Sequence, residues 1–292
     1  MNTMIPGNFE YHAARGVDEA LQLLSRYGED GKLLAGGHSL LPMMKLRFAE
    51  PAHLIDLNPI EELRGVREDG DHLLIGTMTT ESALQQSDLV ARHCPVLPEV
   101  VALIADPQVR NRGTIGGDAL LGDPGNDHPA VLMALEAEFV IRGPKGERRE
   151  PANGFYLGPY LTRLADDELA TAIRIPKCPP GQGYAYCKLK RKTGDYATAA
   201  ACCLLSLAGG TVEKARLSLT NVGPTALRAE DAEDLLQGQT LDDGRIEQAA
   251  QAAMSICEPA EDLRGSPEYK THIAGEMTRR ALRLALQRAR GQ

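Results

Sequence analysis

Apolar positions fall at helical spacing at Val17, Ala20, Leu21, Leu24 and Tyr27, a pattern that predicts an amphipathic helix ending near Gly28. The period then shortens. Residues 32–35 and 53–58 read as strands, and between them Ala35-Gly36-Gly37-His38-Ser39-Leu40-Leu41-Pro42 reads as a double-glycine turn running into a helix. Ser39 stands where an N-cap is needed, and Pro42 falls in the first turn, where a missing N–H costs nothing. Residues 16–58 are therefore expected to form an α–β–α–β unit with the turn at the carboxyl end of a strand, where α/β sheets bind ligands.

From residue 63 the texture becomes that of hairpins. Residues 63–67 and 73–77 flank the turn Glu68-Asp69-Gly70-Asp71, and residues 139–142 and 148–150 flank Gly143-Pro144-Lys145-Gly146. Helices are predicted at 81–86, capped by Thr80, and at 96–104, and residues 169–175 read as a strand closed by Pro176. Between 106 and 127 lies the longest stretch without a period, expected to be an irregular, functional loop. The run Lys177-Cys178-Pro179-Pro180-Gly181-Gln182-Gly183 is the best linker candidate. A first domain is thus expected over 1–177, dividing near residue 58, and a second over 178–292. In the second, strands at 184–190 and 215–221, an apolar run at 197–207 and helices at 229–236, 244–257 and 268–289 make an α+β pattern.

Composition and charge remove several function classes. The 292-residue chain is 43% hydrophobic and 25% charged with a net charge of -8, ordinary for a globular protein and wrong for a nucleic-acid partner. No window approaches the roughly 18 apolar residues of a membrane span, and no basic, then apolar leader is visible, so the expected location is the cytoplasm. The six cysteines, Cys94, Cys178, Cys187, Cys202, Cys203 and Cys257, show no CxxC pair and no histidine spacing for zinc or an iron–sulfur cluster. They read as buried free thiols. HExxH, the P-loop lysine, GxGxxG and a Ser/His/Asp ordering are also missing, and no catalytic side chain is assigned. Asp123 and Asp127 suggest a divalent-metal pair, but Asp127 precedes an apolar helix, and an N-cap role explains it without a metal. No metal site is expected.

What remains is two glycine pairs, Gly36-Gly37 and Gly116-Gly117, about eighty residues apart. Glycine takes positive φ, so such turns can aim consecutive N–H groups at an anion, although a strand–Gly-Gly–helix connection can also be a plain tight turn. Two such turns in one α/β unit suit a long, two-phosphate ligand such as a dinucleotide. His38 reads as a hydrogen-bonding or packing part of its turn. The basic run beginning at Lys188 reads as a strand edge rather than a nucleic-acid patch.

Together, Ala35-Gly36-Gly37-His38-Ser39 with the following Leu40-Leu41-Pro42-Met43-Met44-Lys45, then Asp106-Pro107-Gln108-Val109-Arg110, Gly113-Thr114-Ile115-Gly116-Gly117, Gly122-Asp123-Pro124-Gly125-Asn126-Asp127 and Lys190-Arg191-Lys192-Thr193-Gly194-Asp195-Tyr196-Ala197, resemble the FAD-binding medium subunits of the molybdenum hydroxylases. The motifs stand in order across essentially the whole chain, and the carbon monoxide dehydrogenase branch is the nearest in pattern. The resemblance implies an α+β fold built of a PCMH/vanillyl-alcohol-oxidase-type FAD-binding domain in two α/β subdomains and a CO-dehydrogenase-flavoprotein-type C-terminal domain. It implies that Ala35, Gly36, Gly37, His38, Ser39 and Leu40, with Thr114, Ile115, Gly116, Gly117 and residue 118, hold the FAD pyrophosphate and nearby groups. It also implies that Asp127 contacts the cofactor, that Tyr196, beside Asp195, lies against the isoalloxazine face, and that Lys188 or Lys190 approaches the ring system. Asp118 departs from the asparagine usual in the family: a carboxylate lacks the amide donor and adds negative charge near a diphosphate.

The same resemblance implies an electron-transfer flavoprotein subunit of an oxidoreductase. Its partners would be a large subunit with the molybdenum cofactor and a small [2Fe–2S] subunit, assembled as a dimer of heterotrimers. The acceptor would be a quinone, NAD or oxygen, and the complex would be cytoplasmic or peripheral at the inner face of the membrane. The substrate stays open between carbon monoxide and N-heterocycles of the nicotine, caffeine and quinoline type. A stand-alone FAD oxidase and a non-enzymatic nucleotide-binding scaffold are the rival expectations.

Overall fold

The computed structural model describes residues 5–291. The first unit runs β1 (Glu10–Ala13), α1 (Val17–Tyr27), β2 (Gly31–Leu34), α2 (Leu40–Lys45) and β3 (His53–Asp56). Its three strands form a parallel sheet in the order β1-β3-β2. Parallel neighbours need crossover connections, and α1 supplies one, burying Val17, Ala20 and Leu24 against Ile55 and Leu57. The unit begins with a strand that periodicity does not reveal, because β1 carries Glu10, Tyr11 and His12 at the sheet edge and is held by backbone pairing to β3.

The second unit contains β4 (Val66–Asp69), β5 (His72–Gly76), α3 (Glu81–Gln85), α4 (Asp88–His93), α5 (Val96–Leu103), α6 (Pro107–Arg110), α7 (Ile115–Leu120), α8 (Asp127–Ala134), β6 (Glu138–Gly143), β7 (Gly146–Pro151), β8 (Tyr156–Gly158), β9 (Leu161–Thr162) and β10 (Leu169–Pro176). Five of these strands pair antiparallel as β4-β5-β10-β6-β7. Leu73, Ile75, Phe139, Ile141, Ile173 and Ile175 face a core shared with α5 and α8. The stretch expected to be irregular, 106–127, instead holds two short helices. Asp106 caps α6 by accepting the Val109 N–H at 3.0 Å, and Thr114 caps α7 by accepting the Gly117 N–H at 3.1 Å. Helices of four and six residues are too short to show a hydrophobic period, and the caps are their only trace in sequence.

The third unit is the antiparallel sheet β11 (Gly183–Leu189), β12 (Ala199–Ala208), β13 (Thr211–Thr220) and β14 (Leu227–Arg228), followed by α9 (Glu230–Leu236), α10 (Asp243–Ser255) and α11 (Pro267–Ala289). Along β12, Ala201, Cys203 and Leu205 pack with α11, while Ala200, Cys202 and Leu204 join the core of α5 and α8. Burial on both faces explains why this strand reads as a continuous apolar run. It also locks β11, and Lys188 on it, against the start of α8.

Candidate functional site

The carboxyl end of β2, the segment 113–121, the start of α8, the end of β11 and the loop at Tyr196 enclose a cleft of about 690 Å³. The first glycine turn forms one wall. A Cβ on Gly36 would lie 2.3 Å from the Arg112 carbonyl oxygen and 2.8 Å from Gly113 Cα, so only glycine lets this turn seat against the opposite loop. Gly37 has a φ of +80°. Among the described residues, no acceptor in the chain meets the N–H groups of Gly36, Gly37, His38, Ser39 or Leu40. Ser39 occupies the N-cap position of α2, yet its hydroxyl makes no capping bond. The wall therefore presents five consecutive unspent N–H donors and a free hydroxyl. His38 is exposed at the rim rather than packed or bonded into the turn.

The second glycine turn works differently from the cradle expected of it. The Ile115 N–H donates to Thr79 O at 3.0 Å, Gly116 to Thr77 O at 3.0 Å, Gly117 to Thr114 Oγ1 at 3.1 Å and Asp118 to Thr114 O at 3.0 Å. Its donors are spent inside the protein, and Gly116 serves packing: a Cβ there would lie 2.6 Å from Thr77 O. What this turn offers the cleft is the open surface of Gly117 and the Asp118 side chain. Ile115 points the other way, into the core beside Ala119.

Behind this floor lies a cluster of buried charge. Glu81 and His128, both almost wholly buried, pair at 2.9 Å. Burial alone would lower the His128 pKa, but the Glu81 carboxylate, helped by Asp118 and Asp127, raises it to about 9. Asp127 is the first residue of α8, one place past the N-cap Asn126, so its expected capping role is not the one it plays. Its carboxylate instead accepts from Tyr186 Oη at 2.5 Å and Lys188 Nζ at 2.6 Å, and the Lys188 side chain is 1% exposed. Asp118 accepts the His128 N–H at 3.0 Å and, among the described residues, pairs with no cation of its own. Burial, reinforced by Glu81 and Asp127 and opposed by His128, pushes its pKa up to about 7. None of these pairings was visible in the sequence beyond the acidic residue at each helix start.

The remaining expected residues divide. Tyr196 lines the cleft as a partly exposed residue, and burial of its hydroxyl together with Asp123 and Asp118 raises its pKa to about 12. Asp195 beside it is committed to Arg264 at 2.7 Å and Arg191 at 2.9 Å, bonds that lower its pKa to about 2 and fix the loop carrying Tyr196. Of the two lysines, Lys188 lines the cleft, whereas Lys190 turns away and donates to Leu103 O at 2.9 Å. Leu40 lines the cleft as expected, whereas the apolar lining of Met43, Leu120, Leu121 and Leu164 and the ring of Tyr160 were passed over. Such residues read as core until the sheets are assembled.

The family described as "FAD binding domain in molybdopterin dehydrogenase" matches residues 7–178, and "CO dehydrogenase flavoprotein C-terminal domain" matches residues 184–285. The chain is 56% identical to the carbon monoxide dehydrogenase medium chain of Hydrogenophaga pseudoflava, over 97% of this chain and 98% of that one. It is 36% identical to the nicotine 6-hydroxylase medium subunit of Paenarthrobacter nicotinovorans, over 93% and 95%. Among solved structures, carbon monoxide dehydrogenase from Hydrogenophaga pseudoflava superposes with a TM-score of 0.97 at 58% identity, covering 98% of this chain and 99% of that one. Quinoline 2-oxidoreductase from Pseudomonas putida 86 superposes at 0.93 with 33% identity, over 98% and 99%.

Proposed function

The chain belongs to the FAD-binding medium subunits of the molybdenum hydroxylases, and from that premise we propose that it carries electrons in a carbon monoxide dehydrogenase-like complex, from the [2Fe–2S] clusters of a small subunit to an external acceptor. The observation that carries this reading is the set of unspent N–H groups at Gly36–Leu40, set in a cleft whose lining also includes the apolar side chains of Met43, Leu120 and Leu164, with Tyr196 and Lys188. When bound, FAD supplies the chemistry of accepting electrons singly or in pairs and releasing them to an acceptor.

The chain's own residues bind, orient and shield. The Gly36–Leu40 donors and the Ser39 hydroxyl would hold the pyrophosphate, with Gly117 as the smooth floor opposite. Leu40, Met43, Leu120 and Leu164 would exclude water from the apolar parts of the cofactor, and Tyr196, fixed through Asp195, would cover the ring system. Lys188, locked on Asp127, would keep a positive charge at the cleft wall. Ile115 and Lys190 have no place in this arrangement. A domain boundary within 178–183 is supported by the ends of the two family matches.

We place the molybdenum cofactor on a large partner subunit and the assembly as a dimer of heterotrimers in the cytoplasm, with a quinone, NAD or oxygen as acceptor. Among the described residues no helix is long and apolar enough to cross a membrane. Carbon monoxide is favoured over an N-heterocycle as the substrate of the complex, given 56% against 36% identity to the respective relatives. The test is anaerobic reduction of the purified complex. Bleaching of the flavin band by carbon monoxide is the expected result. Bleaching by nicotine or quinoline alone would move the protein to the heterocycle branch, and bleaching of the isolated chain by a small organic substrate would make it a stand-alone oxidase. Absence of flavin from the extract of the denatured complex would overturn the flavin assignment itself.

A further inference from the structure

Away from the cleft, Glu10 and His12 stand two apart on β1 and so share a face, and the parallel register sets Glu10 beside His53 of β3. Their ligand atoms form a triangle. His12 Nε2 lies 3.1 Å from His53 Nδ1, His53 Nδ1 lies 3.5 Å from Glu10 Oε2, and His12 Nε2 lies 3.9 Å from the same oxygen. Ligands bound at about 2.0–2.1 Å in tetrahedral geometry around zinc stand roughly 3.3–3.4 Å apart, a spacing these three edges bracket. The rings are also held in place: Tyr27 stacks on His53 with centroids 3.6 Å apart and on His12 at 4.9 Å. Glu10 is the adjustable member, its side chain 72% exposed against 21% and 20% for the histidines.

We propose that Glu10, His12 and His53 form a surface site for a zinc-class divalent cation that clamps the edge strand β1 to β3. A hydrogen bond accounts for the histidine pair, but it leaves the Glu10 carboxylate within 3.9 Å of both rings without a hydrogen bond to either. A cation satisfies all three donors at once and leaves its fourth position to water. Two imidazoles and one carboxylate suit zinc, cobalt(II) or nickel(II), whereas magnesium and calcium prefer all-oxygen sets. The signal is faint in sequence because Glu10-Tyr11-His12 and His53 are separated by about forty residues and meet only through strand pairing.

The test titrates the metal-stripped complex, or the full chain, with zinc by calorimetry and with cobalt(II) by visible absorption. Wild type is expected to bind about one equivalent more than the double variant His12→Ala/His53→Ala, and to show the absorption of four-coordinate cobalt that the variant lacks. Free thiols elsewhere can also take zinc, so the difference between the two proteins is the deciding figure. Glu10→Gln should weaken binding about tenfold or more, the scale on which even supporting residues act at metal sites. Equal uptake by wild type and double variant, or an unchanged zinc affinity in Glu10→Gln, overturns the site. If the alanine variant fails to fold, His53→Gln, which keeps a polar side chain over Tyr27, gives the same comparison. Flavin content should be the same in every variant, because none of the three residues lines the cleft.

Discussion

Replacing Asp118 with asparagine should stabilise the protein most above neutral pH, with a gain that shrinks steadily toward about pH 4. Three carboxylates, Glu81, Asp118 and Asp127, share the wall behind the cleft with two cations, His128 and Lys188, and the pairings Glu81–His128 and Asp127–Lys188 leave Asp118 as the odd charge. Burial, with Glu81 and Asp127 adding to it and His128 opposing, raises its pKa from 3.8 to about 7. A carboxyl group whose folded pKa lies above its unfolded value holds its proton longer in the native state. Stability therefore falls as pH rises from about 4 to about 7 and stays lower beyond. Roughly three pKa units correspond to about 4 kcal/mol. Part of that is returned by local relaxation and by water entering from the cleft that Asp118 lines, so removing the carboxylate should gain about 2 kcal/mol.

Asparagine keeps an oxygen acceptor for the His128 N–H, so the start of α8 stays capped. At about 2 °C per kcal/mol for a chain of this size, the variant should melt about 4 °C higher than wild type at pH 8 and about 1–2 °C higher at pH 5. The assay is thermal unfolding by circular dichroism of both proteins from pH 5 to 8 at constant ionic strength. His128, raised to about 9, contributes stability that is complete below about pH 6.5 and lost as pH climbs through 9, which is why the comparison stops at pH 8. A difference in Tm that stays flat across the range, or turns negative at pH 8, would refute the unpaired-carboxylate account.

Other substitutions test the remaining parts of the site. Gly36→Ala sets a methyl group 2.3 Å from the Arg112 carbonyl oxygen and should cost about 1–3 kcal/mol while lowering flavin content; full flavin absorbance per protein would remove this turn from the site. Lys188→Met leaves the buried Asp127 carboxylate with Tyr186 alone and should destabilise by about 3 kcal/mol, with Asp127→Asn in the same chain restoring most of the loss in a denaturant titration. Tyr196→Ala should keep flavin bound but alter its absorption spectrum or reoxidation rate, and wild-type behaviour in both would show that this ring does not cover the cofactor. Gly37→Val, placed at a φ of +80° with Leu41 2.9 Å from its Cβ, should lower flavin occupancy while the far-ultraviolet circular dichroism of the fold persists.

Periodicity found α1, β2, β3, the hairpin pairs and the closing helices because each buries one regular face, and burial of one face is what writes a period into sequence. It missed β1, α4, α6 and α7, which are short or lie at an edge and owe their form to backbone pairing or to caps such as Thr114. The double glycine at Gly36-Gly37 and the order of the motifs were legible because glycine is demanded by local backbone geometry, and local demands survive in a linear sequence. The tertiary structure decided how alike residue types differ in use. It left the N–H groups of Gly36–Leu40 free and spent those of Ile115–Asp118, because the second turn packs on Thr77 and Thr79 while the first faces open space. It chose Lys188 over Lys190, paired Asp127 with a strand some sixty residues away and left Asp118 without a cation among the described residues. Which donors are spent and which charges are matched depends on distances across sheets, and those distances exist only once the three units have packed.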